Sequence, residues 1–249
     1  MVNNDECSGT SPREDVVRLR LLGGFGICVG EHRKTLPRSA QRVLVALALR
    51  PHEVDRSILG ATLYPDVRSS QVSANLRSAL WRTKQATGRP IVDAHGQRLR
   101  LDVGIEVDLQ FWIQQARCLV ARIGPDADAD VAQVVEALSQ ELLPAWNEEW
   151  LILERQRWDQ VRLHALERLA DEFAAAGRHM DALEAGHAAV AIEPYRESAY
   201  RAVIRAYIAE GNSASALALY HRCQRLLMQD LGVRPTPQTH ALVRNITGQ

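Results

Sequence analysis

A chain of 249 residues, 24% charged and 46% hydrophobic, is long enough to build two cores and holds no run of about 20 apolar residues that would span a bilayer. Thirty basic and thirty acidic side chains cancel, and Cys7, Cys28, Cys118 and Cys223 stand far apart with no CxxC and no finger-like histidine spacing, which argues against a zinc site and against a disulfide framework. The cancellation hides a division: the balance is +5 through residue 107 and −5 beyond it, with thirteen basic against four acidic residues between Arg33 and Arg100, as expected of a surface that faces phosphates.

Residues 1–15, MVNNDECSGTSPRED, lack the basic-then-apolar order of a secretory leader and are expected to form a disordered tail on a cytoplasmic protein. Cys28, Cys118 and Cys223 have apolar neighbours and are expected as small core residues. Over 18–29 the apolar residues Leu19, Leu21, Phe25, Ile27 and Val29 keep a strand rhythm broken at Gly23, Gly24 and Gly26, and a hairpin continues to about residue 36. No Lys-Ser/Thr helix start follows GGFG, so a structural turn is the expected reading of those glycines.

Pro37 opens a first helix to about residue 49, with Val43, Leu44, Leu47 and Ala48 inward and Arg38 and Arg42 on the other side; Pro51 ends it. A second helix runs from an Asp55 N-cap to about residue 64, where Pro65 stops it. A third starts near Ser69 or Ser70 and ends by Gly88. Its core stripe is Val72, Leu76, Ala79, Leu80 and Thr83, and its other face carries Ser70, Ser73, Ala74, Arg77, Ser78, Trp81 and Lys84, small side chains interspersed with cations. Such a face can enter a major groove closely while Arg77 reaches a base edge or a phosphate.

The next element is equally basic. Over 91–107 Leu99, Leu101, Val103, Ile105 and Val107 alternate with Arg98, Arg100, Asp102, Gly104 and Glu106. One face is therefore expected to pack, and Arg98 and Arg100 to project together from a hairpin that turns at His95 and Gly96. A cationic helix followed by a cationic hairpin is the order of elements in a winged helix-turn-helix.

From residue 108 the period stays helical, over 108–123, 130–142, 148–176, 180–192, 197–210, 214–230 and 237–246. LERLADEFAAAGRHMDAL (166–183) matches YRAVIRAYIAEGNSASAL (200–217) at an offset of 34, which pairs Phe173 with Tyr207, Gly177 with Gly211 and Ala182 with Ala216. That offset is the period of a tetratricopeptide helix pair, whose glycine turns the chain and whose alanine lets helices approach. Trp146, Trp150 and Trp158 are read first as core anchors and second as a recognition patch. The expected fold class is thus an α+β winged helix-turn-helix followed by an all-α tetratricopeptide-like domain.

LYPD (63–66) before NLRSALWR (75–82), then Asp108, Leu109 and Phe111, ELLPAW (141–146), EPYRESAYRAVIRAYIAEGN (193–212) and LGVRPTPQTHALVRNI (231–246) together resemble the Streptomyces antibiotic regulatory protein family, over about residues 16–246. The resemblance implies an OmpR/PhoB-type winged-helix DNA-binding domain at 16–107 and a bacterial transcriptional activator domain at 108–249. It also implies a pathway-specific activator of secondary metabolism that binds direct repeats in double-stranded promoter DNA and recruits RNA polymerase holoenzyme, as a homodimer at least on DNA. Larger relatives carry a further nucleotide- or phosphopeptide-binding domain, beside which this chain looks minimal. Three positions depart from the pattern: Tyr64 replaces a tryptophan, Thr83 a leucine, and Gln140 or Glu141 the glycine that begins the GxLLPxW motif.

On this reading Ser70, Ser73, Arg77, Ser78 and Trp81 face the groove, and Arg82 and Lys84 take flanking phosphates. Arg98 and Arg100 hold the backbone or minor groove, and Arg38 and Arg42 meet phosphates or polymerase. The sequence is also compatible with two other classes. One is a protein-interaction adaptor, or a repressor, built on the same two domains. The other is an enzyme, for which the chain offers no HExxH, nucleotide loop or GxSxG elbow, so no catalytic residue, cofactor or metal site is expected.

Overall fold

The computed structural model describes residues 16–121 and 131–247, and the chain divides into two compact units, Met1–Asp108 and Leu109–Gln249. No helix among the described residues is long and apolar enough to cross a membrane. The expected tail at 1–15 lies outside the described residues, as does Cys7.

The first unit opens with β1 (Val17–Arg20), which buries Val17 and Leu19 and exposes Arg18 and Arg20, the alternation of a half-buried strand. It pairs antiparallel with β2 (Gly26–Val29), and β2 pairs antiparallel with β3 (His32–Arg33). Gly23 and Gly24, at φ 69° and 142°, supply the backbone conformations that turn the chain between β1 and β2. Three helices follow. In α1 (Arg38–Ala48) every residue from Val43 to Ala48 is buried, more than one amphipathic stripe accounts for, because α1 packs on both other helices and on the wing sheet. In α2 (Arg56–Leu63) the N-cap is Asp55, whose carboxylate accepts from the Ser57 amide at 2.8 Å and hydroxyl at 2.6 Å, and these bonds hold its pKa below the usual carboxylate range. α3 (Ser69–Thr87) ends on Gly88 at φ 74°, a left-handed C-terminal stop. A Cβ on Gly60 would lie 2.3 Å from Val72 Cγ1, so this glycine is what lets α2 approach α3.

β4 (Val54–Asp55), β5 (Val92–His95) and β6 (Arg98–Leu101) form a second sheet in the order β4-β6-β5, and β7 (Ile105–Val107) leaves it to pair parallel with β1. The alternation that sequence reading runs unbroken to residue 107 is therefore two strands of two sheets. Asp102 closes a turn between them through its carboxylate on the Gly104 amide at 2.8 Å, and Val103, expected inward, is 82% exposed. Asp108 ends the unit by accepting from the Leu21 and Leu22 amides at 2.8 and 3.1 Å.

The second unit is helical: α4 (Asp108–Ala121), α5 (Val131–Ser139), α6 (Glu149–Ala175), α7 (His179–Ile192), α8 (Glu197–Ala209), α9 (Ser213–Leu226) and α10 (Pro237–Thr247), with one π turn, Leu227–Leu231, extending α9. Gly177 and Gly211, at φ 74° and 83°, make the two equivalent turns that the repeat requires. Asp171 and Arg205, one period apart, join α6 to α8 through a bidentate pair at 2.8 Å, so equivalent helices of successive repeats are tied directly.

Helices α7 and α8 approach closely at Gly186, where a Cβ would lie 2.6 Å from Val203 Cγ2. Gly186→Ala should therefore destabilise the unit by about 1–3 kcal/mol through overpacking, since a helix-propensity gain of about 1 kcal/mol offsets only part. Thermal unfolding followed by circular dichroism checks this, and Val203→Ala in the same chain should restore part of the loss.

Trp146 and Trp158 are buried, as core anchors should be, while Trp150 is half-buried with its indole N–H on Glu148 at 3.1 Å. Cys223 is buried and its thiol is pushed up to about 11 by that burial, and Cys28 is half-buried. Cys118 is exposed, contrary to expectation. Leu109 and Ala116 set the buried side of α4, and two residues past Ala116 the helix has turned by about 200°.

Candidate nucleic-acid interface

The buried residues of α3 are Val72, Leu76, Ala79, Thr83 and Thr87, with Leu80 half-buried. Threonine in that stripe leaves no orphan hydroxyl: Thr83 donates to the Ala79 carbonyl and Thr87 to the Thr83 carbonyl, both at 2.9 Å. The helix can thus carry Thr83 where a leucine would pack, without an unsatisfied polar group.

Away from this stripe Ser70, Ser73, Ala74, Arg77, Ser78, Trp81, Arg82 and Lys84 are all exposed. Ser73 returns its hydroxyl proton to the Ser69 carbonyl at 3.2 Å and keeps its oxygen as an acceptor. From Arg68 to Thr87 the chain holds no acidic residue, and among the described residues no carboxylate pairs with Arg68, Arg77, Arg82 or Lys84. Arg68, the exposed N-cap of α3, joins the cations of this helix although sequence reading passed it over. Its only signal is that it is the one basic residue in the turn between α2 and α3.

The β5-β6 hairpin turns at Gly96, φ 60°, and its register sets Asp93 opposite Arg100 and His95 opposite Arg98. Leu99 is fully buried, so Arg98 and Arg100 share the outer face as the alternation predicts. These arginines differ from those of α3 in having acidic neighbours. Arg100 Nε lies 3.1 Å from Asp93, and Arg98 Nη1 lies 3.9 Å from Glu53, which also meets His95 at 3.6 Å. Both pairs are substantially solvated and contribute little to stability, but each offsets a cation that a phosphate would otherwise attract. Asp93→Asn is accordingly expected to strengthen DNA binding several-fold and to steepen its dependence on log salt by about one. Titration at three ionic strengths measures both.

The two arginines of α1 separate. Arg38 is exposed at the first residue of the helix. Arg42, assigned from the sequence to phosphates or polymerase, is half-buried instead. Its Nη2 donates to the Leu63 carbonyl at 2.6 Å and its guanidinium lies 5.4 Å from the centre of the Tyr64 ring. A cation at the C-terminal end of α2 satisfies a helix-end carbonyl and the negative end of the helix dipole, so this side chain braces the helix-turn-helix from within. Burial raises the Tyr64 pKa, against the lowering effect of Arg42.

No group of three or more His, Cys, Asp or Glu able to hold a metal ion occurs among the described residues. α3 and the wing carry an exposed cationic surface. α3 offers short hydroxyls and cations without an acidic partner among the described residues, and the wing adds a projecting hairpin.

Comparison with known proteins bears on both units. The model of the bacterial transcriptional activator domain matches residues 124–247. Regulatory protein AfsR of Streptomyces griseus is 27% identical over 241 residues, 93% of this chain and 24% of that protein. Transcriptional regulatory protein MoaR1 of Mycobacterium tuberculosis is 32% identical over 91 residues, 36% of this chain and 29% of that protein. The chain spans about a quarter of the length of these curated relatives. The solved structure of Mycobacterium tuberculosis EmbR in complex with a low affinity phosphopeptide shares the fold, at a TM-score of 0.74 and 20% identity over 95% of this chain and 66% of that one. A winged helix-turn-helix followed by a tetratricopeptide-like unit that carries a bacterial transcriptional activator domain makes the chain similar to transcriptional regulators of the Streptomyces antibiotic regulatory protein family.

Proposed function

We propose that this regulator binds direct repeats in promoter DNA through α3 and the β5-β6 wing and activates a specific pathway by recruiting RNA polymerase. The observation that carries the reading is the set of four cations on α3 and its N-cap, Arg68, Arg77, Arg82 and Lys84, unopposed by any carboxylate among the described residues and accompanied by Arg98 and Arg100 on the wing. In this scheme Arg77 meets a base edge or phosphate, Ser70, Ser73 and Ser78 hydrogen-bond at short range, and Arg82, Lys84 and the wing arginines hold the flanking backbone. The 16–107 region is the DNA-binding domain, and the net-acidic helical region from 108 onward contacts polymerase or a second protomer on DNA. The protein acts in the cytoplasm, on the nucleoid.

The test is a footprint over promoters in the protein's gene neighbourhood, with and without RNA polymerase. Two protected segments spaced by about one helical turn or a multiple, and polymerase protection that strengthens when the regulator is present, are expected. Protection that excludes polymerase would replace activation by repression. No mobility shift on any of these promoters at 50 mM salt would overturn the DNA-binding reading and favour a protein adaptor.

A further inference from the structure

Trp81 is 61% exposed and is the largest side chain on the polar arc of α3. Among the described residues no ring, cation or hydrogen-bond donor or acceptor engages its indole. At about 100° per residue it lies within roughly 40° of Arg77 and 20° of Ala74, and across the helix from the buried Ala79 and Thr83. An apolar stripe, Ala74 and then Trp81 two turns later, therefore runs along the middle of the arc between cations and serines.

A major groove presents hydrogen-bonding base edges and one apolar group, the C5 methyl of thymine. Arg77 suits the guanine edge. The amides that would grip adenine are not on the stripe: Asn75 is half-buried, and Gln71 and Gln85 stand at its sides. What Ala74 and Trp81 offer at the centre is mainly apolar surface, and the apolar group in the groove that matches the face of an indole is the thymine methyl.

We infer that Trp81 is a specificity-determining residue that reads a thymine by packing its indole on the C5 methyl. This rests on the DNA-binding reading above, and it adds that the site bound must hold a thymine within reach of the guanine contacted by Arg77. Packing of the indole on deoxyribose would instead raise affinity for every sequence alike.

The experiment uses the full chain and a duplex obtained with it by in vitro selection, in which each thymine in turn is replaced by deoxyuridine, removing the methyl group alone. Wild-type affinity should fall about fourfold at one or two positions, the worth of one buried methyl. Trp81→Ala should lose that sensitivity at one of them while keeping its response to guanine substitutions and its salt dependence, and Trp81→Phe should keep part of it. Far-UV circular dichroism verifies that the variants fold. Indifference of the wild type to every deoxyuridine, within twofold, overturns the inference and leaves DNA binding standing, as does a Trp81→Ala variant with the wild-type thymine-to-uracil ratio. Failure to select any sequence overturns both.

Discussion

Replacing Arg77 and Arg82 together by alanine should weaken binding to a specific duplex about 10²-fold at 100 mM salt and lower the slope of log affinity against log salt by about two. Both side chains are exposed and neither has an acidic partner among the described residues, so their loss should change folding stability by less than about 0.5 kcal/mol. The affinity change then reports DNA contact alone. Arg42→Ala is the informative contrast. Its guanidinium donates to the Leu63 carbonyl and lies over the Tyr64 ring. Its removal should lower stability by about 1–3 kcal/mol, through a helix-end carbonyl left unsatisfied, while the salt slope of the folded fraction stays as in the wild type. If Arg77→Ala/Arg82→Ala kept the wild-type slope, α3 would not be the element on the phosphates. A reduced slope in Arg42→Ala would place α1 against DNA instead.

The salt dependence also separates the two cationic elements. If six cations are neutralised, affinity should fall about 10³-fold between 50 and 200 mM salt. The wing arginines already share Glu53 and Asp93, so α3 should account for more of the slope than the wing.

The α3 stripe and the outward pair Arg98 and Arg100 were legible in the sequence because each follows from a single period, 3.6 or 2 residues, imposed by one buried face. The glycine turns of the repeat were legible for the same kind of reason, since Gly177 and Gly211 sit one period apart at positive φ. Val103 was not, because a period-2 pattern carries no mark of where a strand leaves one sheet for another. Arg42 was not, because helical phase says which side a residue is on but not what stands opposite that side. Here it was the end of α2 rather than solvent. The acidic partners of the wing depend on the β4-β6 and β5-β6 registers, which join residues far apart in the chain.

The loop before α6 was the least legible segment, and its clamp carries the second large effect. Leu143, at φ 47°, is the one non-glycine residue among those described with positive φ, and it lies two or three residues after Gln140 or Glu141, where the family pattern begins its motif with glycine. Arg155 holds the loop from α6, donating to the Leu142, Leu143 and Trp146 carbonyls at 2.5–2.9 Å, and Arg162, 4% exposed, donates to the Ser139 and Gln140 carbonyls at 3.0 and 3.3 Å. Arg155→Met should cost about 3 kcal/mol, because three partly buried carbonyls lose a charged donor at once. Arg162→Met should cost less, about 2 kcal/mol, since Gln140 keeps the Trp158 indole donor at 2.9 Å and Asp159, 38% exposed, can rehydrate. Relieving the backbone alone does not help. Leu143→Gly removes roughly 1–2 kcal/mol of left-handed strain, but Leu143 is fully buried and emptying such a site costs about 2–5 kcal/mol. Chemical denaturation of the three variants should therefore place the loss in Arg155→Met above that in Arg162→Met, with Leu143→Gly at a net loss of about 2 kcal/mol; a Leu143→Gly variant more stable than the wild type would mean that backbone strain, not the leucine contact, dominates this loop.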